Sequence, residues 1–280
     1  MIIYIIIFIL FYIVLFSFSN QDKILNNNNY NITNNGFTVL KNIFNIDEII
    51  QLTNYIKNNQ HKDCKEYLIK HPKLKSVINK KFGINYMFQD YITIIQKSSI
   101  HTCHRDVNSI FLNKDQKHPS YTMIIYLENM NKCLGVIPNS HTSLYKNSIN
   151  IFDQVKNIPC NQGDIILFNA NLIHVGTLNP EKEDNLRIQM KVSHKDDLNA
   201  LSYYQNYNKI LKKSTNIPVY LRQAQKNISC MVPIISDFLT KEIKKTARGT
   251  EEGANIGPLQ KIFSYLFYGN ANFYDLPNAF

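Results

Sequence analysis

The sequence has no tryptophan, no CxxC pair and no internal repeat. Its five cysteines, Cys64, Cys103, Cys133, Cys160 and Cys230, are too sparse for a disulfide scaffold and lack the spacing of a structural zinc site. Their odd number leaves at least one thiol free or intermolecular, and each reads as a small buried hydrophobe. Clustered positive charge is missing too. Thirty-one Lys and Arg against 21 Asp and Glu give a net charge of +10, which would suit a polyanion if the cations were gathered on one surface. They are instead spread along a chain whose general richness in Asn, Ile and Lys reflects a compositional bias. Only Lys212-Lys213 and the stretch from Lys241 to Arg248 are locally basic, and acids adjoin the latter. Nucleic acid is therefore not an expected partner.

Residues Ile2 to Phe18 lack a polar face. An amphipathic helix of a soluble fold would have one, so residues 1–19 read as a signal anchor or signal peptide. The expected location is accordingly membrane-anchored or in the secretory pathway, with the membrane as a partner. Residues 20–35 are dominated by Asn without apolar periodicity and read as a linker.

From Gly36 the pattern becomes that of a folded domain. Phe37 to Leu40 reads as a strand. Ile46 to Lys57, with Asp47 near its start and Ile49, Ile50, Leu52, Tyr55 and Ile56 at helical spacing, reads as an amphipathic helix. Beyond Tyr86 come short runs rich in Ile, Val, Tyr and Phe: Tyr91 to Ile95, Tyr121 to Leu127, Gly135 to Ile137, Ile165 to Phe168 and Leu186 to Val192. Such runs, separated by polar, Gly, Pro or Asn breaks, predict a mainly β domain with flanking helices, an antiparallel barrel or jelly roll over residues 36–200. Residues 201–280 form a mostly helical C-terminal extension, with a helix starting near Pro258 and carrying Phe263, Leu266 and Phe267.

Three elements carry candidate chemistry. His104-Arg105-Asp106 follows the Tyr91 to Ile95 strand, and His174 follows the Gly163 to Phe168 turn and strand. Two imidazoles and one carboxylate form a facial triad that leaves metal positions open for other ligands. Arg187 alternates with Leu186 and Ile188, so on a half-buried strand it points opposite to them. A guanidinium facing a pocket suits a carboxylate, which it grips through two parallel hydrogen bonds.

The order His-x-Asp, Gly-Asp strand, His and strand Arg resembles the phytanoyl-CoA dioxygenase family of Fe(II)/2-oxoglutarate-dependent oxygenases. Gly36 to Lys41 with its following helix is similar to the family's opening, and Leu134 to His141 is similar to its Gly-x-x-x-x-Pro-Gly-Ser-His turn. The resemblance covers roughly residues 36–195. It implies a double-stranded β-helix (a cupin-like jelly roll), Fe(II) on His104, Asp106 and His174, and 2-oxoglutarate paired with Arg187. Lys97 matches a Lys that many members carry some residues before the His-x-Asp, which reads either as a lining residue of the same pocket or as a surface Lys. The implied reaction uses O2, hydroxylates an organic small molecule such as a lipid, an acyl derivative or a secretory-pathway compound, and releases succinate and CO2. A catalytically degenerate barrel serving as a binding or structural protein is the alternative. The chain departs from the family pattern at Asn139, which stands where Gly is usual, at Arg105, where Gln is common, and at Gly176, where a hydroxyl residue often stands. Thr177 offers a neighbouring hydroxyl. His141 is expected to be structural, His194 to lie on the surface, and His101 to be no ligand.

Overall fold

Side chains alternate across a strand, and along residues 121–126 this sends Met123 and Ile125 to one face while Thr122, Ile124 and Tyr126 take the other; all five are buried. A strand buried on both faces needs cover on both. In the computed structural model, helices supply it on one side and a second sheet on the other. The structure describes residues 2–18, 23–25, 30–97, 102–150, 155–177, 184–204, 207–212, 217–244 and 257–271; His101 lies outside them.

The first part of the chain runs α1 (Ile2–Phe18), β1 (Lys23–Ile24), α2 (Ile32–Asn35), β2 (Phe37–Leu40), α3 (Ile46–Lys57), α4 (His61–Lys70) and α5 (Pro72–Phe82). The strands β3 (Tyr86–Phe88), β4 (Tyr91–Lys97), β5 (Tyr121–Tyr126), β6 (Met130–Val136), β7 (Lys156–Cys160), β8 (Ile165–Asn169), β9 (His174–Gly176), β10 (Asp184–His194) and β11 (Tyr207–Lys212) follow. Last come α6 (Val219–Met231), α7 (Pro233–Lys244) and α8 (Pro258–Tyr268).

Seven strands form one sheet in the order β11-β4-β10-β5-β8-β2, with β3 also paired to β10; β1-β7-β6-β9 form the other. Between them lies a core of Phe37, Ile124, Tyr126, Leu134, Val136, Ile158, Ile166 and Phe168. This is the expected jelly roll. The outer face of the larger sheet presents Ile92, Ile94, Met123, Ile125, Ile188 and Met190 to Leu52, Leu68, Leu74 and Ile78 of the N-terminal helices. Helix α3 has the predicted bounds, with Asp47 in its first turn and Asn45 as its cap. Asn45 Oδ1 accepts the Glu48 amide at 2.8 Å, and Glu48 Oε2 accepts the Asn45 amide at 2.7 Å, satisfying two helix-end donors reciprocally.

The Asn-rich segment contributes β1, which pairs in parallel with β7, and the short α2. The C-terminal region contributes β11, which extends the larger sheet alongside β4. Helix α8 begins at Pro258 as predicted. It turns Phe263 and Tyr268 inward and leaves Leu266 exposed.

The expectation for the N terminus does not hold. Helix α1 has 17 residues, so at 1.5 Å per residue it spans roughly 26 Å, short of the ~30 Å hydrocarbon core. Among the described residues no helix is long and apolar enough to cross a membrane. Helix α1 instead lies along α6 with its first ten residues exposed, and the membrane-anchored or secretory location inferred from it is overturned.

Candidate metal centre

His104 and His174 are joined as an antiparallel pair outside the named ladders. The His104 amide donates to the His174 carbonyl at 2.9 Å, and the His174 amide returns to the His104 carbonyl at 3.0 Å. Two residues on, the Asp106 amide donates to Ala170 O at 3.1 Å. This register sets the two imidazoles side by side, with ring centroids 4.4 Å apart. Alternation along 104–106 puts Asp106 on their side and Arg105 on the other.

Each imidazole is oriented by its own backbone. His104 Nδ1 lies 2.8 Å from Thr102 O, and His174 Nδ1 lies 3.0 Å from Leu172 O. A carbonyl can only accept, so each Nδ1 carries the proton and each Nε2 keeps its lone pair, the arrangement that metal-ligating histidines use. His174 Nε2 is 3.6 Å from Asp106 Oδ1. One ligand atom from each of His104, Asp106 and His174 falls within 4.8 Å of the others, a spacing a single cation can bridge. Phe168 packs its ring 4.6 Å from that of His174. Burial, reinforced by the neighbouring His104, lowers the His174 pKa to about 4, so the ring is neutral, as a metal ligand must be, over the ordinary pH range.

Asp106 is anchored through its other oxygen. Lys191 Nζ donates to Oδ2 at 2.6 Å and to Thr122 Oγ1 at 2.7 Å, while the Thr122 hydroxyl also donates to Oδ2. Burial alone would raise the Asp106 pKa. The Lys191 ammonium and the two histidines outweigh it and hold the carboxyl well below the usual carboxylate range. The carboxylate is thus ionised with Oδ2 occupied and Oδ1 aimed at the imidazoles.

Arg105 is fully buried and ties the ligand segment to the rest of the molecule. Its Nε donates to Asn171 O at 2.8 Å, its guanidinium pairs with Asp237 of α7, and Nη2 reaches Ser140 O, Ser143 O and Lys146 O. The Asp237 carboxylate also accepts the Arg105 amide at 3.2 Å. Cys103 forms a disulfide with Cys230 of α6, the Cys103 amide donates to Ser229 Oγ at 3.0 Å, and Thr102 Oγ1 is hydrogen-bonded to the Tyr268 hydroxyl of α8. Residues 102, 103 and 105 are therefore all held by the C-terminal helices. Asn171 secures the far side, its Oδ1 accepting Ser109 Oγ at 2.7 Å and the Ile110 amide at 3.0 Å.

Arg187, Gln189 and Lys191 share the inward face of β10. At about 3.3 Å per residue Arg187 lies roughly 13 Å along the strand from Lys191. The Arg187 guanidinium donates to Asn185 O at 3.1 Å and has no carboxylate partner among the described residues. Burial lowers its pKa, and the neighbouring Tyr126 phenol and Cys133 thiol work in the opposite direction. Lys97 ends β4, half-buried, opposite Asp184 and Lys212. Thr177 lies beyond β9, where its hydroxyl donates to Lys132 O at 2.6 Å; neither residue joins the His-Asp-His cluster. Asn139 takes the left-handed φ of 66° that Gly usually supplies in such a turn. His141 is structural: its Nε2 lies 2.9 Å from Thr33 O, and its ring sits so close to Gly36, at φ 84°, that a Cβ there would come within 2.7 Å of Nδ1.

Sequence reasoning did not single out Lys191, Thr122 or Asp237. Lys191 was within reach of it, because placing Arg187 inward on β10 places residue 191 inward too. Two further expectations are corrected: Cys103 and Cys230 are bonded rather than isolated hydrophobes, and His194 is buried at the end of β10 rather than on the surface.

No family model matches the chain, and no curated protein matches its sequence. Solved structures do. HygX from Streptomyces hygroscopicus, with nickel and 2-oxoglutarate bound, is 13% identical with a TM-score of 0.47, over 58% of this chain and 84% of that one. SnoN, a non-haem α-ketoglutarate-dependent epimerase from nogalamycin biosynthesis, is 12% identical with a TM-score of 0.47, over 58% of this chain and 79% of that one. EvdMO1 is 16% identical, also with a TM-score of 0.47, and the chain spans 48% of its length.

Proposed function

We propose that this chain is a non-haem Fe(II), 2-oxoglutarate-dependent oxygenase that hydroxylates a small organic substrate, in line with the likeness of its motifs to the phytanoyl-CoA dioxygenase family. The observation that carries the reading is the convergence of one ligand atom each from His104, His174 and Asp106, with both Nδ1 atoms and Asp106 Oδ2 already committed elsewhere. This donor set fits the ion. Two imidazoles and a carboxylate bound through one oxygen leave room for a chelating oxo-acid and a further ligand. HygX has been solved with iron bound, and SnoN with Fe3+, α-ketoglutarate and nogalamycin RO.

In this reading His104, Asp106 and His174 hold Fe(II), and the half-buried Arg187 pairs with the distal carboxylate of 2-oxoglutarate. When bound with O2, the iron and cosubstrate supply the oxidation of a C–H bond, with release of succinate and CO2. Lys191 and Thr122 keep Asp106 from turning its second oxygen to the metal, Phe168 shields the His174 edge from water, and Arg187 finds in the cosubstrate the counter-charge its burial calls for. Retention of Asp106 favours hydroxylation over halogenation, in which that carboxylate gives way to halide. Lys97 and Thr177 stand as further pocket residues, each through a side chain near the ends of β4 and β9.

The experiment is to add Fe(II) and 2-oxoglutarate anaerobically to the purified full chain and follow the visible charge-transfer band of a chelated oxo-acid. The band is expected in the wild type, absent in His174→Ala and shifted to much higher 2-oxoglutarate concentration in Arg187→Ala. Succinate should appear when O2 is admitted. A folded protein that binds iron yet gives neither band nor succinate would leave the barrel as a binding scaffold.

A further inference from the structure

A second constellation lies where β10 ends, away from the triad. His194 closes β10, Asp196 sits in the 3-10 turn that follows, and His118 stands on the loop that leads into β5. One ligand atom from each of the three lies within 4.8 Å of the others. Asp196 Oδ2 is 3.9 Å from His118 Nε2 and 3.6 Å from His194 Nδ1. The two imidazoles stack with centroids 3.8 Å apart and planes 30° from parallel.

These separations are too long for hydrogen bonds, which need about 2.7–3.2 Å. The two Asp196 separations are close to what a cation needs, and the stacked rings have to swing apart for both lone pairs to point at one ion. Zinc bound to nitrogen and oxygen at about 2.0–2.2 Å in tetrahedral geometry sets its ligands roughly 3.4 Å apart. Bringing in His194 Nδ1 would displace only a long hydrogen bond, 3.3 Å, from the Asp196 amide.

The three side chains are also held from behind. The buried Asp197 accepts the Lys117 and His118 amides, one on each oxygen, both at 2.8 Å. Gln116 Nε2 donates to His118 O at 2.7 Å and to Ser120 Oγ at 2.9 Å, and Ser120 Oγ is 2.8 Å from Ser193 Oγ on β10. The Lys195 amide donates to Asn85 O, and the Tyr86 ring meets His194 edge-on. The loop before β5 and the end of β10 are thereby fixed against each other before any ion arrives. Asp196 and the outer edge of His118 remain open to solvent, which leaves a path in and a coordination position for water.

We propose that His118, His194 and Asp196 form a second site, for a zinc-class divalent cation, that pins the loop before β5 to the end of β10. Imidazole with carboxylate suits zinc and its late first-row neighbours and disfavours magnesium or calcium, which take oxygen ligands. The strand it pins is the one that carries Arg187 and Lys191, so the site serves the barrel's interior face without touching the triad.

The test is to strip the full chain of metal, equilibrate it with Zn2+, and measure bound zinc per chain by equilibrium dialysis with elemental analysis. Wild type is compared with His118→Ala, Asp196→Asn and His174→Ala, circular dichroism serving to confirm folding. His118→Ala and Asp196→Asn should each bind one zinc fewer than wild type. His174→Ala should keep a zinc that the double variant His118→Ala/His174→Ala loses, and added Zn2+ should raise the Tm of His174→Ala but not that of the double variant. Equal zinc in wild type, His118→Ala and Asp196→Asn would overturn the proposal. Asp196→Asn keeps the shape of the side chain, so loss of a zinc there cannot be put down to misfolding.

Discussion

Helices α3 to α5 meet the barrel through Leu52, Leu68, Leu74 and Ile78, whereas α6 to α8 meet it through a carboxylate, a disulfide and two hydroxyls. The first layer covers a sheet face and touches no candidate ligand. The second grips Thr102, Cys103 and Arg105, the residues that surround His104. Apolar burial is non-directional and tolerates repacking. A buried ion pair or a disulfide fixes one geometry and fails sharply when half of it is removed. One layer therefore stabilises the fold, and the other also sets the position of the candidate ligands.

The sharpest way to break this comparison is Asp237→Ala against Leu52→Ala. Removing Asp237 leaves the Arg105 guanidinium buried and unpaired, at an expected cost of about 3–5 kcal/mol, and it frees the His104 segment. Urea denaturation should show the loss, and Fe(II) affinity should fall with it. Leu52→Ala opens a cavity at a cost of about 2–5 kcal/mol, yet Fe(II) affinity measured in the folded protein should stay within about two-fold of wild type. If both variants lower metal affinity alike, the two layers hold the His104 segment equally.

The Cys103–Cys230 bond spans 127 residues of sequence. Its reduction, or Cys230→Ser, should destabilise the protein by about 2–4 kcal/mol, seen as a lower denaturation midpoint with dithiothreitol, and should change nothing in the free thiols Cys64, Cys133 and Cys160.

The smallest effect is one of pH. His174 has its pKa lowered from 6.5 to about 4, so the unfolded chain takes up its proton first. The stability contributed by neutral His174 is complete above pH 6.5 and is lost as the pH falls towards 4. Asp106, held well below the usual carboxylate range, adds its own slope only below about pH 5, where the unfolded chain begins to take up that proton. The denaturation midpoint of the metal-free protein should decline from pH 7 to 4.5, and less steeply in His174→Gln.

Much of this was legible from residue order. The bounds of α3, the strands β2, β4, β5, β8 and β10, and the start of α8 followed from apolar spacing and from Pro at a helix start. Strand β7 did not, because Pro159 interrupts a run that a ladder would otherwise require. Strands β9 and β11 are too short or too polar to stand out, and β11 is identified only by its parallel partner β4. Helices α4 and α5 carry seven Lys between them, all but Lys65 on their outer faces, which masks the Cys64, Leu68, Leu74 and Ile78 stripe. The three triad residues could be singled out because a His-x-Asp pair and a later His have a recognisable order. The Arg105–Asp237 pair could not, because its members are 132 residues apart and meet only through tertiary register. His194-Lys195-Asp196 has the same His-x-Asp order, but nothing in the sequence marks the distant His118 as its partner.

That separation bears on how the protein is made. The segment around His104 is braced by Ser229, Cys230, Asp237 and Tyr268, and synthesis at about 5–20 residues per second delivers Cys230 roughly 6–25 s after Cys103, which it follows by 127 residues. On the ribosome the barrel strands can pair while the segment around His104 is still unbraced, and its last brace, Tyr268, is made only after all eleven described strands.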